Sequence, residues 1–349
     1  MLFAGCRVGV RGYLVDDETM EGDALSELVL VTGGAGYVGA PVCETLLASG
    51  RRVRALDVLL HGQTTIAERL ECLGIEVLRE DVRNPEARRR ALSGADAIVH
   101  LAAIVGDPAC ARDPRLSQEV NVEATGALVA DARDAGVKRF VFASTCSNYG
   151  RMADPTVPIT EQGELSPVSL YAEQKVQIER SLLNGGAGGL RPVCLRFATV
   201  YGAAPRMRFD LTVNQFARDL WADRDLEVFG ERFWRPYVHV RDAARGVCAA
   251  LNAPPHRVSG EVFNVGRSSE NYRKLDLVEE VRRQVSTGSV RYVHRDEDPR
   301  DYKVSFEKIS QQLGFRTLTT VPEGIAEVIH GLNANEFPEP FDGRYRNTP

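Results

Sequence analysis

The 349-residue chain lacks the sequence features of a metalloprotein, a nucleic-acid binder or a membrane-spanning protein. Its seven cysteines form no C-x-x-C pair and its six histidines form no H-x-x-x-H pair, so no metal site is predicted. The formal net charge of -5 gives no basic surface for nucleic acid or an anionic membrane. No apolar run approaches the roughly 20 residues that cross a bilayer. These absences favour a small-molecule role.

Two kinds of residue that are scarce or scattered are expected to be structural. His100 and His239 sit in strand-like runs and are expected to be packed or hydrogen-bonded rather than metal ligands. The cysteines lie mostly inside predicted strands and helices, which is typical of buried, reduced thiols in a cytoplasmic protein.

Residues 1–26 lack the long apolar core of a signal peptide, so we expect a poorly ordered N-terminal extension without an assigned function.

A glycine-rich turn follows the first strand-like run. The apolar residues at 28–31 lead into Thr32-Gly33-Gly34-Ala35-Gly36-Tyr37-Val38-Gly39. In a dinucleotide-binding turn the first glycine takes the tight bend, the second lets the backbone approach a pyrophosphate, and the third lets the helix pack on the strand. The helix N-terminus adds free N–H groups and a partial positive charge. We therefore predict dinucleotide contacts at Gly33, Gly36, Tyr37 and Val38.

A carboxylate follows the second strand-like run, at the position that recognises the ribose in dinucleotide-binding folds. The second strand-like run, 52–56, leads into Asp57, which lies about 20 residues beyond the glycines. A carboxylate here accepts hydrogen bonds from two ribose hydroxyls and repels a 2′-phosphate. The sequence therefore predicts NAD rather than NADP, and the alternative interpretation is a solvated aspartate at a strand end.

Strand-like runs recur with helical segments between them, which predicts a parallel sheet covered by helices on both faces. The runs are 76–78, 97–101, 140–143 and 193–197, and a helix is predicted at 121–135 with Gly136 as its C-cap. Ligands are expected at the carboxyl ends of such strands.

The alternation weakens at 202–234 and again after 266. Segments 238–240 and 262–265 are predicted to be strands that return to the main sheet. We therefore predict an α/β fold: a Rossmann-type doubly wound parallel sheet with a smaller, discontinuous α/β substrate lobe. The predicted ranges are 27–202 plus 236–266 for the NAD-binding domain, 203–235 plus 267–335 for the substrate lobe, and 336–349 for a C-terminal tail.

Three residues could perform acid–base chemistry. Tyr171 and Lys175 lie four residues apart on a predicted helix, so their side chains share one face. Beside a cationic nicotinamide ring, the Lys175 ammonium favours the phenolate and lowers the pKa of Tyr171, which makes a base for a sugar hydroxyl. Most Y-x-x-x-K pairs on helix surfaces are structural. Thr145, however, follows the strand at 140–143, where its hydroxyl could bond the same reacting oxygen.

These motifs resemble those of the extended short-chain dehydrogenases/reductases, in particular the nucleotide-sugar epimerase/dehydratase group, over residues 28–332. The resemblance implies that Thr145, Tyr171 and Lys175 are catalytic, and that Tyr171 and Lys175 also contact the cofactor. Further implied cofactor contacts are Asp81 and Val82 at the adenine, Leu101, Ala102 and Ala103 along the cofactor, and Asn121. Implied substrate contacts are Thr145, Cys146, Ser147, Asn214, Arg235 and Arg300, with Arg235 on the diphosphate; of these Arg300, together with Arg206 and Arg208, is a weaker phosphate or ribose candidate.

The sequence departs from the family pattern after the threonine. In the family's 4,6-dehydratases the catalytic threonine is followed by Asp and Glu, whereas Cys146 and Ser147 follow Thr145 here. Neither is a strong acid–base group at neutral pH, so dehydration is not expected. Some 3,5-epimerases of the family use a cysteine one residue further along, which leaves a catalytic Cys146 as an alternative. Ala198 replaces the family's usual Asn after Arg-Phe.

The resemblance implies an NAD-dependent nucleotide-sugar epimerase that most simply inverts C4 through a transient 4-keto sugar. The alternatives are a 4-ketoreductase or decarboxylase of the same family and, in a different class, a catalytically silent NAD-binding sensor or scaffold. We expect a nucleotide-diphosphate sugar as substrate, no nucleic-acid or membrane partner, and a homodimer formed through the helix at 121–135 and the Tyr171 helix.

Overall fold

The computed structural model describes residues 27–151, 154, 157–186, 189–293 and 300–347. The N-terminal extension predicted at 1–26 lies outside these residues. The strands are β1 (Leu28–Thr32), β2 (Arg52–Leu56), β3 (Glu76–Leu78), β4 (Ala97–His100), β5 (Arg139–Thr145), β6 (Arg191–Phe197), β7 (Thr199–Tyr201), β8 (Asp225–Phe229), β9 (Trp234–His239), β10 (Glu261–Val265), β11 (Asn271–Arg273) and β12 (Ser289–Val293). The α-helices are α1 (Gly39–Ala48), α2 (Thr64–Cys72), α3 (Pro85–Leu92), α4 (Asp107–Arg112), α5 (Pro114–Gln118), α6 (Ala124–Asp134), α7 (Leu170–Ser181), α8 (Thr212–Trp221), α9 (Val240–Asn252), α10 (Pro255–Val258), α11 (Lys274–Arg282), α12 (Glu307–Leu313) and α13 (Val321–Asn333).

Seven parallel strands form the main sheet in the order β3-β2-β1-β4-β5-β6-β10. The chain runs outward from β1 to β3 and then crosses to β4 on the other side of β1. This reversal places a crevice between the carboxyl ends of β1 and β4, where ligands bind in doubly wound sheets. The predicted α/β Rossmann-type fold is thereby confirmed.

Alternate residues of β1 enter cores on opposite faces of the sheet. Val29 and Val31 pack in one core with Val247 of α9, whereas Leu30 packs in the other with Leu128 of α6 and Ile178 of α7. All five residues of β1 are buried as a result. This explains why the central strands are continuously apolar in sequence.

The second lobe is built from two small sheets and three helices. Strands β7, β9 and β11 form one sheet, and β8 pairs in parallel with β12 in the other. Phe216, Leu277 and Ile325 bring α8, α11 and α13 together over a separate apolar core. After α13 the chain packs back onto this lobe, with the Tyr345 ring centre 5.4 Å from that of Phe209.

One of the two strands predicted to return to the main sheet does not do so. β10 lies beside β6 as predicted, with Val262 opposite Cys194. The prediction for residues 238–240 was wrong, because β9 pairs in parallel with β7 and antiparallel with β11. Only one strand can pair with β6 on the side away from β5, and apolar runs of similar strength do not specify which strand does so.

Among the described residues, every helix is too short or too polar to span a bilayer.

Candidate active site

The predicted phosphate-binding turn contains two close backbone approaches. Gly33 donates its N–H to the Leu56 carbonyl at 2.8 Å and has φ +71°. A Cβ at Gly33 would lie 2.9 Å from the Ala102 backbone nitrogen, and one at Gly39 would lie 1.9 Å from the Gly33 carbonyl oxygen. A side chain at either position would displace backbone. The turn leads into α1, whose first N–H groups suit a pyrophosphate.

Asp57 follows β2 and is buried beside this turn. Its Oδ2 accepts a hydrogen bond from the Ala35 N–H at 2.9 Å, and its Oδ1 accepts one from the Leu59 N–H at 2.8 Å. Burial raises the pKa of Asp57, although the two backbone N–H groups and Arg206 oppose this rise. Each carboxylate oxygen keeps a second lone pair for a ribose hydroxyl. The geometry thus accommodates the ribose contact predicted for NAD.

A cavity of about 280 Å³ adjoins the turn and the carboxyl ends of the central strands. Its walls include the predicted cofactor residues Gly33, Gly36, Tyr37, Val38, Asp57, Asp81, Val82, Leu101, Ala102 and Ala103. Arg206, Arg208 and Asn347 also line this cavity. A glycine turn for a pyrophosphate, a buried carboxylate for a ribose and apolar walls for a ring form a donor set that fits NAD.

Lys175 ties the helix that carries Tyr171 to the end of β5. Its Nζ donates to the Ala143 carbonyl at 2.8 Å and lies 4.7 Å from the centre of the Phe142 ring and 5.8 Å from that of the Tyr171 ring. Thr145 is the last residue of β5. The structure therefore brings α7 with Tyr171 and Lys175 against the strand end where Thr145 lies.

The ionisation of this cluster differs from the sequence prediction. Burial lowers the pKa of Lys175 to about 8. Burial also raises the pKa of Tyr171, and the Cys110 thiol and the Asp107 carboxylate raise it further. The protein groups alone thus keep Tyr171 as a neutral phenol. The predicted fall in its pKa depends on the positive charge of a nicotinamide ring.

Asn121 lies in a π-helical turn, Glu119–Glu123, directly before α6. Its Oδ1 accepts from the Ile104 N–H at 2.8 Å, and its Nδ2 donates to the Ile104 carbonyl at 3.0 Å and to Gln174 Oε1 at 2.8 Å. Ile104 belongs to the cavity wall. Asn121 therefore joins this wall to α7, and π-helical turns of this kind are frequent at functional sites.

The loop after Thr145 forms a 3-10 turn, in which Thr145 Oγ1 accepts a hydrogen bond from the Ser147 N–H at 3.1 Å. Cys146 is 1% exposed, and its thiol donates to the Arg196 carbonyl at 3.2 Å. Burial raises the pKa of Cys146. This position favours a structural thiol over the substrate contact and the catalytic alternative that the sequence allows.

Arg235 approaches the same region from β9. Its buried side chain donates through Nη1 to the Trp234 carbonyl at 2.7 Å, and the guanidinium carbon lies 5.2 Å from the centre of the Tyr302 ring. The Tyr302 hydroxyl donates to Ser147 Oγ at 3.5 Å. Tyr302 thus connects Arg235 with Ser147 in the loop after β5.

The other two predicted substrate residues make contacts within the protein. Asn214 is fully buried, donates through Nδ2 to the Arg208 carbonyl at 2.9 Å and accepts through Oδ1 from the Gly202 N–H at 2.9 Å. Arg300 Nη1 forms an ion pair with Asp107 Oδ2 at 2.9 Å. Asn214 holds backbone here, and Arg300 would have to exchange Asp107 for a substrate phosphate.

His100 is packed, as predicted. Its Nδ1 lies 2.7 Å from Thr32 Oγ1 and its Nε2 lies 2.8 Å from Thr125 Oγ1. Burial lowers its pKa to about 3, and the nearby Lys175 ammonium lowers it as well. A neutral imidazole thus joins β1, β4 and α6 beneath the crevice.

Sequence reasoning missed Asp107. Besides pairing with Arg300, Asp107 accepts a hydrogen bond from the hydroxyl of Ser169, the N-cap of α7, at 2.6 Å. The available signal was its position shortly after β4, at the carboxyl edge of the sheet. His239 is buried and hydrogen-bonded to Glu327 at 2.7 Å, which confirms its expected packing.

Comparison with known proteins agrees with this geometry. The model of the NAD dependent epimerase/dehydratase family matches residues 29–266. The chain is 27% identical to an uncharacterized UDP-glucose epimerase of Bacillus subtilis over 88% of this chain and 98% of that protein. It is 29% identical to a UDP-glucose 4-epimerase of Streptomyces lividans, over 74% and 81% of the two chains. It is 27% identical to a UDP-N-acetyl-alpha-D-glucosaminuronate decarboxylase of Bacillus cytotoxicus, over 80% and 84%.

Solved structures of NAD-bound nucleotide-sugar enzymes have folds similar to that of this chain. A UDP-glucose 4-epimerase of Thermus thermophilus in complex with NAD superposes with a TM-score of 0.76 at 28% identity, over 88% of this chain and 99% of that one. A dTDP-glucose 4,6-dehydratase of Streptomyces venezuelae with bound NAD superposes with a TM-score of 0.80 at 27% identity, over 90% and 100%. With the glycine turn, Asp57 and the Tyr171/Lys175 helix in place, the chain belongs to the NAD dependent epimerase/dehydratase family and is an NAD-dependent nucleotide-sugar enzyme.

Proposed function

We propose that this chain is a nucleotide-sugar epimerase that inverts C4 through a transient 4-keto sugar. The observation that carries the proposal is the packing of the Tyr171 and Lys175 helix against the end of β5, where Thr145 lies, through the 2.8 Å bond from Lys175 to Ala143. A silent NAD-binding sensor has no need for a phenol, an ammonium and a hydroxyl at one strand end.

In the proposed reaction Tyr171 removes the proton of the sugar 4-hydroxyl and later returns it. The Lys175 ammonium stabilises the phenolate and holds the nicotinamide ribose. The Thr145 hydroxyl donates a hydrogen bond to the sugar oxygen as negative charge develops there. When bound, NAD would supply the redox chemistry at C4 as a reversible hydride acceptor.

Two relatives support C4 and a UDP-linked hexose as the first choices, since proteins named UDP-glucose 4-epimerase are similar to this chain in both sequence and structure. The residues after Thr145 argue against dehydration. Cys146 is buried in the core, and Ser147 lacks the acidity that loss of water requires. Decarboxylation of a nucleotide-linked uronic acid is the second candidate, because a decarboxylase is among the similar proteins and such a reaction also begins with oxidation at C4.

The test is to incubate the purified chain with UDP-, GDP-, CDP- and dTDP-sugars in deuterated water and to follow the sugar ring by NMR. We expect inversion at C4 of a UDP-hexose, no deuterium in the ring and no net change in NAD. Deuterium at C3 or C5 would instead indicate carbanion chemistry at the neighbouring carbon. Loss of carbon dioxide would identify a decarboxylase, and stoichiometric consumption of NAD(H) would identify a reductase.

We further propose a homodimer through α6 and α7. These helices lie against the same face of the sheet, where Leu128, Ala132 and Ile178 share one core. Size-exclusion chromatography with light scattering should give twice the mass of one chain. A monomer at the concentration used for the activity assay would contradict this interface.

A further inference from the structure

The cofactor cavity contains a buried cation that pairs with no carboxylate among the residues the structure describes. Arg206 follows β7 and lines the cavity together with Gly33, Gly36 and Asp57. It is 7% exposed. Its Nη2 donates to the Arg346 carbonyl at 3.2 Å, whereas Nε has no hydrogen-bond acceptor within the described part of the chain.

The neighbouring arginine differs in this respect. Arg208 lines the same cavity, but its Nε and Nη2 donate to the two carboxylate oxygens of Asp210 at 2.9 and 2.7 Å. A guanidinium removed from water is costly unless an anion compensates it. Burial and the neighbouring Arg208 cation lower the pKa of Arg206 to about 10, and the charges of Asp210 and Asp57 oppose this fall only in part. Arg206 is thus a buried cation that lacks an ion-pair partner among the described residues.

The missing anion is not Asp57. Both oxygens of the Asp57 carboxylate accept backbone hydrogen bonds, from Ala35 and Leu59, and neither reaches ion-pair distance of Arg206. The family's cofactor, by contrast, carries a doubly charged pyrophosphate, and the turn from Gly33 to Gly39 is the place for it in this fold. A planar guanidinium is well suited to phosphate oxygens.

The C-terminal segment fixes Arg206 at this wall. Phe209 N–H donates to the Tyr345 carbonyl at 2.9 Å, and Asn347 N–H donates to Asp210 Oδ2 at 3.1 Å. The Arg346 carbonyl between them accepts from Arg206. Asn347 also lines the cavity, and its buried Oδ1 has no hydrogen-bond donor among the described residues. Unsatisfied buried polar atoms on one wall are expected where a ligand completes the site.

We propose that Arg206, held by the backbone of residues 345–347, is the buried counter-ion of the NAD pyrophosphate in this chain. The role concerns retention of the cofactor and is independent of which carbon of the sugar reacts.

Isothermal titration of the nucleotide-free protein with NAD, ADP and adenosine tests this role. In Arg206→Gln the dissociation constants of NAD and ADP should rise about 10- to 100-fold, as for loss of a charge-assisted hydrogen bond. That of adenosine, which lacks the diphosphate, should stay unchanged. Arg344→Gln is the matched control, because Arg344 is exposed, pairs with Glu339 and lies two residues from Arg346. Unchanged NAD binding in Arg206→Gln, or an equal loss for adenosine and ADP, would overturn the proposal.

Thermal unfolding separates this role from a structural one. Removal of a buried cation without an ion-pair partner should leave the nucleotide-free Arg206→Gln protein at least as stable as the parent, while the rise in Tm on addition of NAD becomes smaller.

Deletion of residues 346–349 should weaken the binding of NAD and ADP in the same way, because the Arg346 carbonyl that holds Arg206 is lost. A deletion variant that binds both as the parent does would remove the C-terminal segment from the proposal. These readouts are binding and unfolding, so they stand even if the sugar chemistry differs from C4 inversion.

Discussion

The Tyr171 hydroxyl is the group on which the proposed chemistry depends, and its replacement should separate catalysis from cofactor binding. Tyr171→Phe keeps an aromatic ring at this position of α7 but removes the acid–base group, so kcat should fall by about 10²- to 10⁴-fold. NAD content should stay unchanged. The measurement is turnover of the identified UDP-sugar together with the NAD released on denaturation.

Tyr292→Phe is the control for this substitution, because Tyr292 lies on β12 with 41% of its surface exposed. Turnover in Tyr171→Phe within threefold of the parent would remove the base from the mechanism. A parallel loss of NAD would assign Tyr171 to cofactor binding instead.

Lys175 should make stability depend on alkaline pH. Its pKa falls from 10.5 to about 8 on folding because burial disfavours the ammonium. Between these values the unfolded chain binds more protons than the folded one, so stability rises with pH. The cost of burying the charge, about 3 kcal/mol from this shift, is fully present below pH 8 and is lost as pH approaches 10.5.

Urea unfolding of the parent and of Lys175→Met checks this sign. The quantity to follow is the free energy of unfolding of the parent minus that of Lys175→Met, because groups that titrate in both proteins cancel in this difference. It should increase between pH 8 and 10.5 as the buried ammonium of the parent loses its proton. Lys138→Met, which removes an exposed ammonium, is the matched control. A difference that stays flat or decreases over this range would show that the ammonium is not desolvated.

At the scale of elements, α7 is fixed to the sheet by a buried ion pair. Glu179 on α7 pairs with Arg196 on β6, and its Oε2 accepts from the Ser144 hydroxyl of β5 at 2.7 Å. Arg196 also donates to the Tyr149 hydroxyl at 2.8 Å. The network holds the helix that carries Tyr171 and Lys175 across two strands.

Glu179→Met should therefore destabilise the protein by about 3–5 kcal/mol, because it leaves Arg196 buried without a counter-charge. The double variant Glu179→Met/Arg196→Met should recover at least half of this loss, since apolar residues replace buried ion pairs at little net cost. Urea unfolding of the two single variants and the double variant measures both effects. Additive losses in the double variant would show that the two charges are not coupled.

The sequence predicted the elements of this region better than their local geometry. A strand ending at Thr145 and a helix presenting Tyr171 and Lys175 follow from apolar runs and i, i+4 spacing. The π-helical turn before α6 does not, because a single turn of five residues is too short to show a periodicity of its own. The predicted helix at 121–135 is therefore α6 preceded by the turn Glu119–Glu123, which places Asn121 against Ile104.

At the scale of the whole molecule, the contacts between distant segments were beyond sequence reasoning. The Tyr37 hydroxyl donates to the Gly202 carbonyl at 2.7 Å, and Arg300 pairs with Asp107 across the crevice. Nothing in apolar periodicity or residue spacing joins residues so far apart in the chain. The same limit explains β9, whose pattern predicts a strand but whose partner depends on how the second lobe folds.

The Arg300–Asp107 ion pair would compete with substrate if Arg300 binds a substrate phosphate. Both side chains are 30% exposed, and pairs of this kind contribute about 0–1 kcal/mol. If Arg300, a weaker phosphate candidate than Arg235, binds the diphosphate of the substrate, it must first leave Asp107. Asp107→Asn keeps an acceptor for Ser169 but removes the competing charge, so UDP-sugar should bind up to about fivefold more tightly.

Titration calorimetry with UDP-glucose on the NAD-bound protein measures the effect of Asp107→Asn, with Asp134→Asn at the exposed end of α6 as a control for the lost negative charge. Added salt should shrink the gain, because it screens the half-exposed pair in the parent. Weaker binding in Asp107→Asn would instead mean that Asp107 positions Arg300 for the phosphate. Equal binding in the parent and in Asp107→Asn would place the diphosphate out of reach of Arg300 and leave Arg235 as the arginine that holds it.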